Sequence, residues 1–422
     1  MQWKKRECKS IIKNKTMYHL STRMVSLLLT FGIFFALSCS TFNTSSESAT
    51  SFYESGSFQK ALRTVNNEIK EDPDNLGLQI LKAEILRNIA VENYQPEDRE
   101  PVYSNLRNTV DEISFSNETY QTKTDSILTS AWIHEQSAGV RLLQQDDTDT
   151  FEEHFTRVIA HFTNAVTIIP DSVVTYNLMA TTYYRHGNLS EAISTLEAIE
   201  KNGFTRPPET FEKLAYLYLE AGQIDRSVEI YETLSANNPD SEIYQQGLVN
   251  SYILGDMHTD AIALLEELMG IYPNRVQYRE ALATERFYMM RQRVLGEIRD
   301  PGFESYSETE TEDMLNQLND ISDIYRDIDE TLPSSEERQQ RIAAFYVSSA
   351  DLLQEVLSFT NDSSETRLSE QRETYLRASI PYWQTLYEGN SDRTAYAYSL
   401  IEIYNELGMK DEAELLEQQI NF

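Results

Sequence analysis

Cysteine is almost absent: the 422 residues hold two, Cys8 and Cys39, so no internal disulfide supports the fold once a leader carrying Cys8 is removed. Glycine (14) and proline (11) are scarce, which suits packed helices better than a turn-rich sandwich. Basic charge is scarce too. Lys and Arg number 36 against 68 Asp and Glu, a net charge of −32, and that averaged field repels polyanions, which argues against a nucleic-acid partner. No apolar run reaches the roughly 20 residues that a membrane-spanning helix needs. Beyond the leader there is no Gly-rich phosphate loop, nucleophile elbow or Cys/His cluster, so neither enzymatic activity nor a cofactor is expected.

What is present begins with an address. Met24 to Leu37 is an apolar stretch of 14 residues behind a basic segment, which reads as the core of a signal peptide spanning 1–38, with Met17 and Met24 as alternative starts. The segment Ala36-Leu37-Ser38-Cys39 resembles the lipobox of bacterial lipoproteins, which implies lipidation at Cys39. The same residues also read as an ordinary cleavage site, Ala36-x-Ser38, followed by a free thiol. Residues 39–51 are polar and fit a lipidated tether, and Ser40 after the cysteine resembles the signal that sends such lipoproteins to the outer membrane.

The body of the chain repeats itself. Placing Gly187, Gly222 and Asp256 in register aligns Tyr183, Tyr218 and Tyr252, then Ala192, Ser227 and Ala261, then Pro239 with Pro273, at spacings of 35 and 34. One unit reads Tyr176, Met179-Ala180, Tyr183, Gly187, Ala192 and Leu196. The next reads Phe211, Leu214-Ala215, Tyr218, Gly222, Ser227 and Tyr231. This pattern resembles the tetratricopeptide repeat (TPR) and implies an all-α solenoid of helical hairpins. Small residues stand where two helices approach, glycine turns the chain, and Asn188 with Glu191 forms a candidate capping box. Phe204 replaces the exit proline, and the third unit carries its glycine one place early, at Gly255. Weaker copies surround Gly56 and Ala61, Ala83, and Ala397 with Gly408 and Ala413.

Two stretches break the period. The expected organisation is TPR-like helices over 52–170 with an insertion at 88–150, a central array over 171–288, a helical insertion at 289–368 and terminal hairpins over 369–422. Each insertion passes through an acidic, turn-prone segment and ends in a long amphipathic helix, near Thr124 to Leu143 and Glu336 to Leu357.

Sites of chemistry are thin. His134-Glu135 starts like a zinc-protease helix, but position 138 is alanine, so no metal site is expected. His154 and His161, seven residues apart, read as a helix-surface pair, and Asp146-Asp147-Thr148-Asp149 as a solvated linker. The TPR resemblance implies a concave face whose floor is Val174, Asn177, Thr181 and Tyr184, then Glu209, Glu212, Tyr216 and Leu219, then Ile243, Gln246, Asn250 and Ile253. Asn and Gln there suit a peptide backbone, and Asn177 and Asn250 are expected to line the face without supporting the fold. No Lys or Arg stands at these places. The expected role is an envelope-anchored scaffold that binds a protein or peptide. A rival reading is a nutrient- or glycan-capture lipoprotein that stacks sugars on Trp132 or Trp383.

Residues 1–38 take seven basic residues and one acid with them, leaving 29 basic against 67 acidic side chains. Screening relieves such repulsion as the Debye length falls from about 10 Å at 0.1 M to about 3 Å at 1 M salt. The melting temperature should therefore rise with sodium chloride, and a flat or falling curve between low and molar salt contradicts the expectation.

Overall fold

The structure is a computed structural model that describes residues 47–114, 118–144, 148–331, 335–360, 362–389 and 394–420. The expected leader, Cys39, the first residues of the tether and Asp146-Asp147 lie outside these. Among the described residues the fold is all-α, with eighteen α-helices and one isolated bridge between Tyr306 and Thr360. No described helix is long and apolar enough to cross a membrane. The chain divides into two compact units between Ser251 and Tyr252, inside the array expected over 171–288.

The first unit opens with α1 (Glu47–Glu54) and α2 (Phe58–Glu71). The tether is therefore shorter than its polarity implied: residues 47–51 are helical, and Ala49 is fully buried in a cluster with Ala61, Val65 and Leu78. Apolar side chains three and four residues on, Phe52 and Tyr53, pack on the same cluster and draw the serine-rich turn into the fold. Next come α3 (Leu76–Asn93), a 3₁₀ turn at Pro96–Asp98, α4 (Glu100–Ser114), α5 (Glu118–Gln144) and α6 (Thr148–Ile168). The hairpins α7 (Val173–Arg185) with α8 (Leu189–Lys201) and α9 (Pro208–Glu220) with α10 (Ile224–Asn237) follow, then α11 (Glu242–Leu254).

One turn is used again and again. Gly187 and Gly222 have φ of 83° and 73°, the left-handed conformation that glycine adopts without a Cβ penalty. The next amide closes a six-residue ring onto the carbonyl of the repeat's aromatic residue: Asn188 N to Tyr183 O at 2.9 Å and Gln223 N to Tyr218 O at 2.8 Å. The same bond joins Ser57 to Phe52 and Met409 to Tyr404, both at 2.8 Å, and so extends the turn to both ends of the described chain. In the third unit Met257 N reaches Tyr252 O, but the left-handed residue is Asp256 (φ 57°), not Gly255. Aspartate tolerates that region because its short polar side chain bonds locally. Without an exit proline, α8 stops by the same device, with Phe204 N bonded to Ile199 O at 3.0 Å. The capping box is not formed, since Asn188 makes no side-chain cap.

The crossings depend on small residues. Ala180, Ala192 and Ala215 are fully buried. Ser227, which replaces alanine, donates to Ala215 O at 2.9 Å and pairs with Ser251 Oγ at 3.0 Å, so its hydroxyl is satisfied.

The second unit contains α12 (His258–Ile271), α13 (Val276–Arg299), α14 (Glu308–Thr331), α15 (Glu336–Leu357), α16 (Asp362–Gly389), α17 (Thr394–Glu406) and α18 (Lys410–Ile420). Its core is aromatic: Phe345 lies 5.2 Å from Phe287, 5.0 Å from Tyr325 and 5.3 Å from Tyr346 between ring centroids. Both acidic segments of the insertions end by starting a helix, α4 at Glu100 and α14 at Glu308, where acidic side chains in the first turn complement the helix dipole.

Gly247 on α11 is the tightest approach in the first unit. A Cβ there would overlap the ring of Tyr231, which is 3% exposed and bonded to Glu212. Gly247→Ala should cost about 1–3 kcal/mol, as overpacking does. Thermal melts check it, with Gly270→Ala on α12, where a Cβ meets open space, as the control.

Candidate functional site: the face of the first helices

Helices α7, α9 and α11 place the expected floor residues, but many of these side chains are already engaged with each other. Asn177 Nδ2 donates to the buried Thr210 Oγ1 at 2.8 Å, bridging α7 to α9, and its Oδ1 is buried without a hydrogen-bond partner. Thr181 donates to Asn177 O at 2.7 Å and accepts from Lys213 Nζ at 3.1 Å. The hydroxyls of Tyr184 and Tyr216 are 2.9 Å apart, with their rings edge to face at 5.8 Å. Asn250 is 7% exposed, and Leu219 and Ile253 are each buried as well. Asn177 thus bonds across the seam instead of standing free on the face, because consecutive first helices come close enough for their polar side chains to meet, and Asn250 is buried instead of lining an open surface.

Lys213 is the residue that the sequence reading passed over. It stands one place beyond Glu212, and its four-carbon stem carries Nζ back to α7, 3.4 Å from Asn177 O. Burial pushes its ammonium down, opposed by the charge of Glu212. Burial likewise pushes the Glu212 carboxyl up, against Lys213 and a hydrogen bond from Tyr231. The charged pair is therefore part of the seam. Still open to water are Ile243, 46% exposed, and Glu209, with Tyr216 and Gln246 half-buried beside them in sequence register.

A second polar cluster is fully internal. Glu135 on α5 has no exposed surface, and four donors converge on it. Arg99 Nη1 is 2.8 Å and the Tyr103 hydroxyl 2.7 Å from Oε1, while His161 Nδ1 is 2.6 Å and Asn164 Nδ2 3.4 Å from Oε2. Asn164 also donates to Pro96 O at 2.8 Å, and Arg99 to Tyr94 O at 3.0 Å, which pins the loop before α4. His161 is therefore buried and not a surface residue: the face of α6 that carries it turns toward α5, where the carboxylate satisfies the ring. His134, next to Glu135, points to the exposed side. Among the described residues no group of three or more His, Cys, Asp or Glu side chains is placed to hold a metal ion.

The tryptophans of the rival reading are engaged elsewhere. Trp132 Nε1 donates to Thr175 Oγ1 at 3.1 Å, and Trp383 is 9% exposed, 5.8 Å from the Tyr396 ring.

A tetratricopeptide-repeat family model matches residues 209–241, which is α9, α10 and the Pro239 exit. No curated protein matches the chain. Among solved structures, a tetratricopeptide repeat protein from Parabacteroides merdae is 10% identical, with 85% of this chain and 98% of that one covered and a TM-score of 0.32. The C-terminal part of a TPR repeat-containing protein from Cytophaga hutchinsonii is 13% identical, with 70% and 98% covered and a TM-score of 0.36. A structure of Naa15/Naa10 bound to HypK-THB is 13% identical, with 89% of this chain covered and a TM-score of 0.31, and this chain spans only 62% of that one. At these scores the structural likenesses carry no assignment. The matched repeat and the recurring turn support tetratricopeptide-like helical hairpins in this chain.

The Glu135 cluster predicts an acid response. Burial alone pushes its carboxyl up, but hydrogen bonds from His161 and Tyr103 and the charge of Arg99 outweigh it and hold it at about 2. A depressed carboxylate contributes stability that is present above its unfolded value, about 4.3, and lost as pH falls toward the folded one. The melting temperature should fall between about pH 4.5 and pH 2. Glu135→Gln should flatten that slope and cost about 3–5 kcal/mol near neutrality by stranding Arg99. Parallel pH-dependent melts of the two proteins check both effects.

Proposed function

We propose that the chain is a non-catalytic interaction scaffold of the bacterial cell envelope, held at the outer membrane through a lipidated Cys39, and that a partner protein or peptide lies along α9 and α11. The observation that carries the reading is Ile243. A large apolar side chain, 46% exposed, stands on a face of mostly polar side chains, several of them bonded to one another, and apolar anchors with polar surroundings are where protein interfaces concentrate their energy. The anchor is supported by the lipobox-like segment and the polar residues after it, and the scaffold role by the repeat fold. Thr181, Tyr184 and Glu212 belong to the support beneath the face, whereas Tyr216, Gln246 and Ile243 offer contact area.

Two measurements test this. The wild type should partition with membranes and incorporate a fatty-acid analogue, and Cys39→Ser should lose both; a soluble, unlabelled wild type removes the anchor. A photocrosslinking residue at position 243 should trap one stoichiometric partner in envelopes, and Ile243→Glu should lose that partner with its melting curve unchanged. Undiminished recovery by Ile243→Glu moves the binding site off this face.

A further inference from the structure

The two faces of α9 treat charge differently. On one, Arg206 lies over the Phe211 ring and Arg226 over the Tyr218 ring, 4.7 and 3.9 Å from the centroids, and each is paired with a glutamate of α8, Glu200 and Glu197. On the other, Glu209, Glu212, Tyr216 and Glu220 follow at intervals of three, four and four residues, a single stripe about 16 Å from end to end. Among the described residues no Lys or Arg forms an ion pair with Glu209, Glu212 or Glu220. Lys213, the sole cation of α9, reaches back to Thr181 on α7.

Tyrosines on three successive first helices register this charge. Burial pushes the Tyr244 hydroxyl of α11 up, and Glu209 and Glu212 push it further. At Tyr216 burial and the bond from Tyr184 act first, and Glu220 and Glu212 add to them. At Tyr184 on α7 burial acts in the same direction, its bond with Tyr216 opposes it, and Glu220 reinforces it. The negative field on this side is therefore local and not only the average of an acidic chain. Ile243 occupies on α11 the repeat position that Glu209 occupies on α9, so the exposed apolar side chain and the stripe belong to one surface.

We infer that the partner segment covering Ile243 is basic, with an apolar side chain resting on Ile243 and lysine or arginine side chains meeting Glu209 and Glu220. This rests on the reading that a partner lies along α9 and α11, and it names that partner's chemistry. The carboxylates select the charge, because they are the groups on this face that no internal cation has consumed. Lys and Arg suit it in a second way: their methylene stems cover apolar surface such as Ile243 while the head group stays with a carboxylate. A cation beside Tyr216 also gains from the ring. Glu212, beneath the face and bonded to Tyr231, adds its charge from below. An acidic segment meets three uncompensated carboxylates here and is rejected.

The test uses the full chain and three labelled peptides that differ only in the residues flanking a central leucine, which are Lys, Gln or Glu. Fluorescence anisotropy should show the Lys peptide binding about tenfold tighter than the Gln peptide at low salt, and the Glu peptide weakest, with the differences vanishing near 1 M. Glu209→Gln combined with Glu220→Gln should bring the Lys and Gln peptides within about twofold of each other, with an unaltered melting curve. Asp225→Asn combined with Glu229→Gln removes the same charge from α10, where both side chains are exposed, and should leave the preference intact. Equal binding of the three peptides overturns the proposal, as does no saturable binding of the Lys peptide. A preference that survives loss of Glu209 and Glu220, or that falls equally with the α10 variant, overturns it too, since the attraction then belongs to the chain's net charge. Failure of the first reading is read separately, by the crosslink at position 243, which does not depend on the charge of any peptide.

Discussion

Two short antiparallel helices cannot bury their own apolar faces, and the structure follows from the need to cover each hairpin with the next. Close packing of the pair requires a residue no larger than alanine or serine at the crossing, which Ala180, Ala192, Ala215 and Ser227 supply. Stacking requires the chain to reverse in few residues, which the left-handed turn at Gly187 and Gly222 supplies. Asp256 shows that the constraint is the conformation and not the residue. There a side chain pays the steric cost, and the six-residue ring onto Tyr252 still closes at 2.9 Å.

Stacking also decides what happens to polar groups. Consecutive first helices lie close enough for a side chain on one to reach the next, so polar residues facing along the stack find each other before they find a ligand. Asn177 with Thr210, Thr181 with Lys213, and Tyr184 with Tyr216 are three such bonds across one seam. In the first insertion the same logic is internal. Glu135 has both oxygens engaged, and removing any donor there leaves a buried charge or dipole unmet, which costs more than the bond contributes. Such a cluster specifies how α4, α5 and α6 meet more than it adds to stability.

The periodic parts of this fold were legible because the period is physical. The small residue, the aromatic and the turn recur at 34 or 35 residues, and the ends of α15 matched the expected Glu336 to Leu357. What was not legible lies between elements. Nothing in the spacing of His134-Glu135 points to His161, because the two partners are 26 residues apart on different helices and meet only through the α5–α6 crossing. Lys213 escaped notice because the floor places were read by direction alone, without the reach of a neighbouring long side chain. Asn177 and Asn250 were placed on the right helices but assigned to solvent, since register fixes which way a side chain points and not how closely the next hairpin follows. The serine-rich segment before Phe52 looked like tether because its composition conceals Ala49, which only the packed cluster reveals as core.

Recognition by such a chain has to come from exceptions to its averaged charge. Around Ile243 the exception is hydrophobic. Glu209 and Glu212 on α9 and Glu242 on α11 are acidic, and Lys213 is engaged with α7. A ligand there gains from apolar contact and from neutral or basic flanks, and an acidic one meets repulsion.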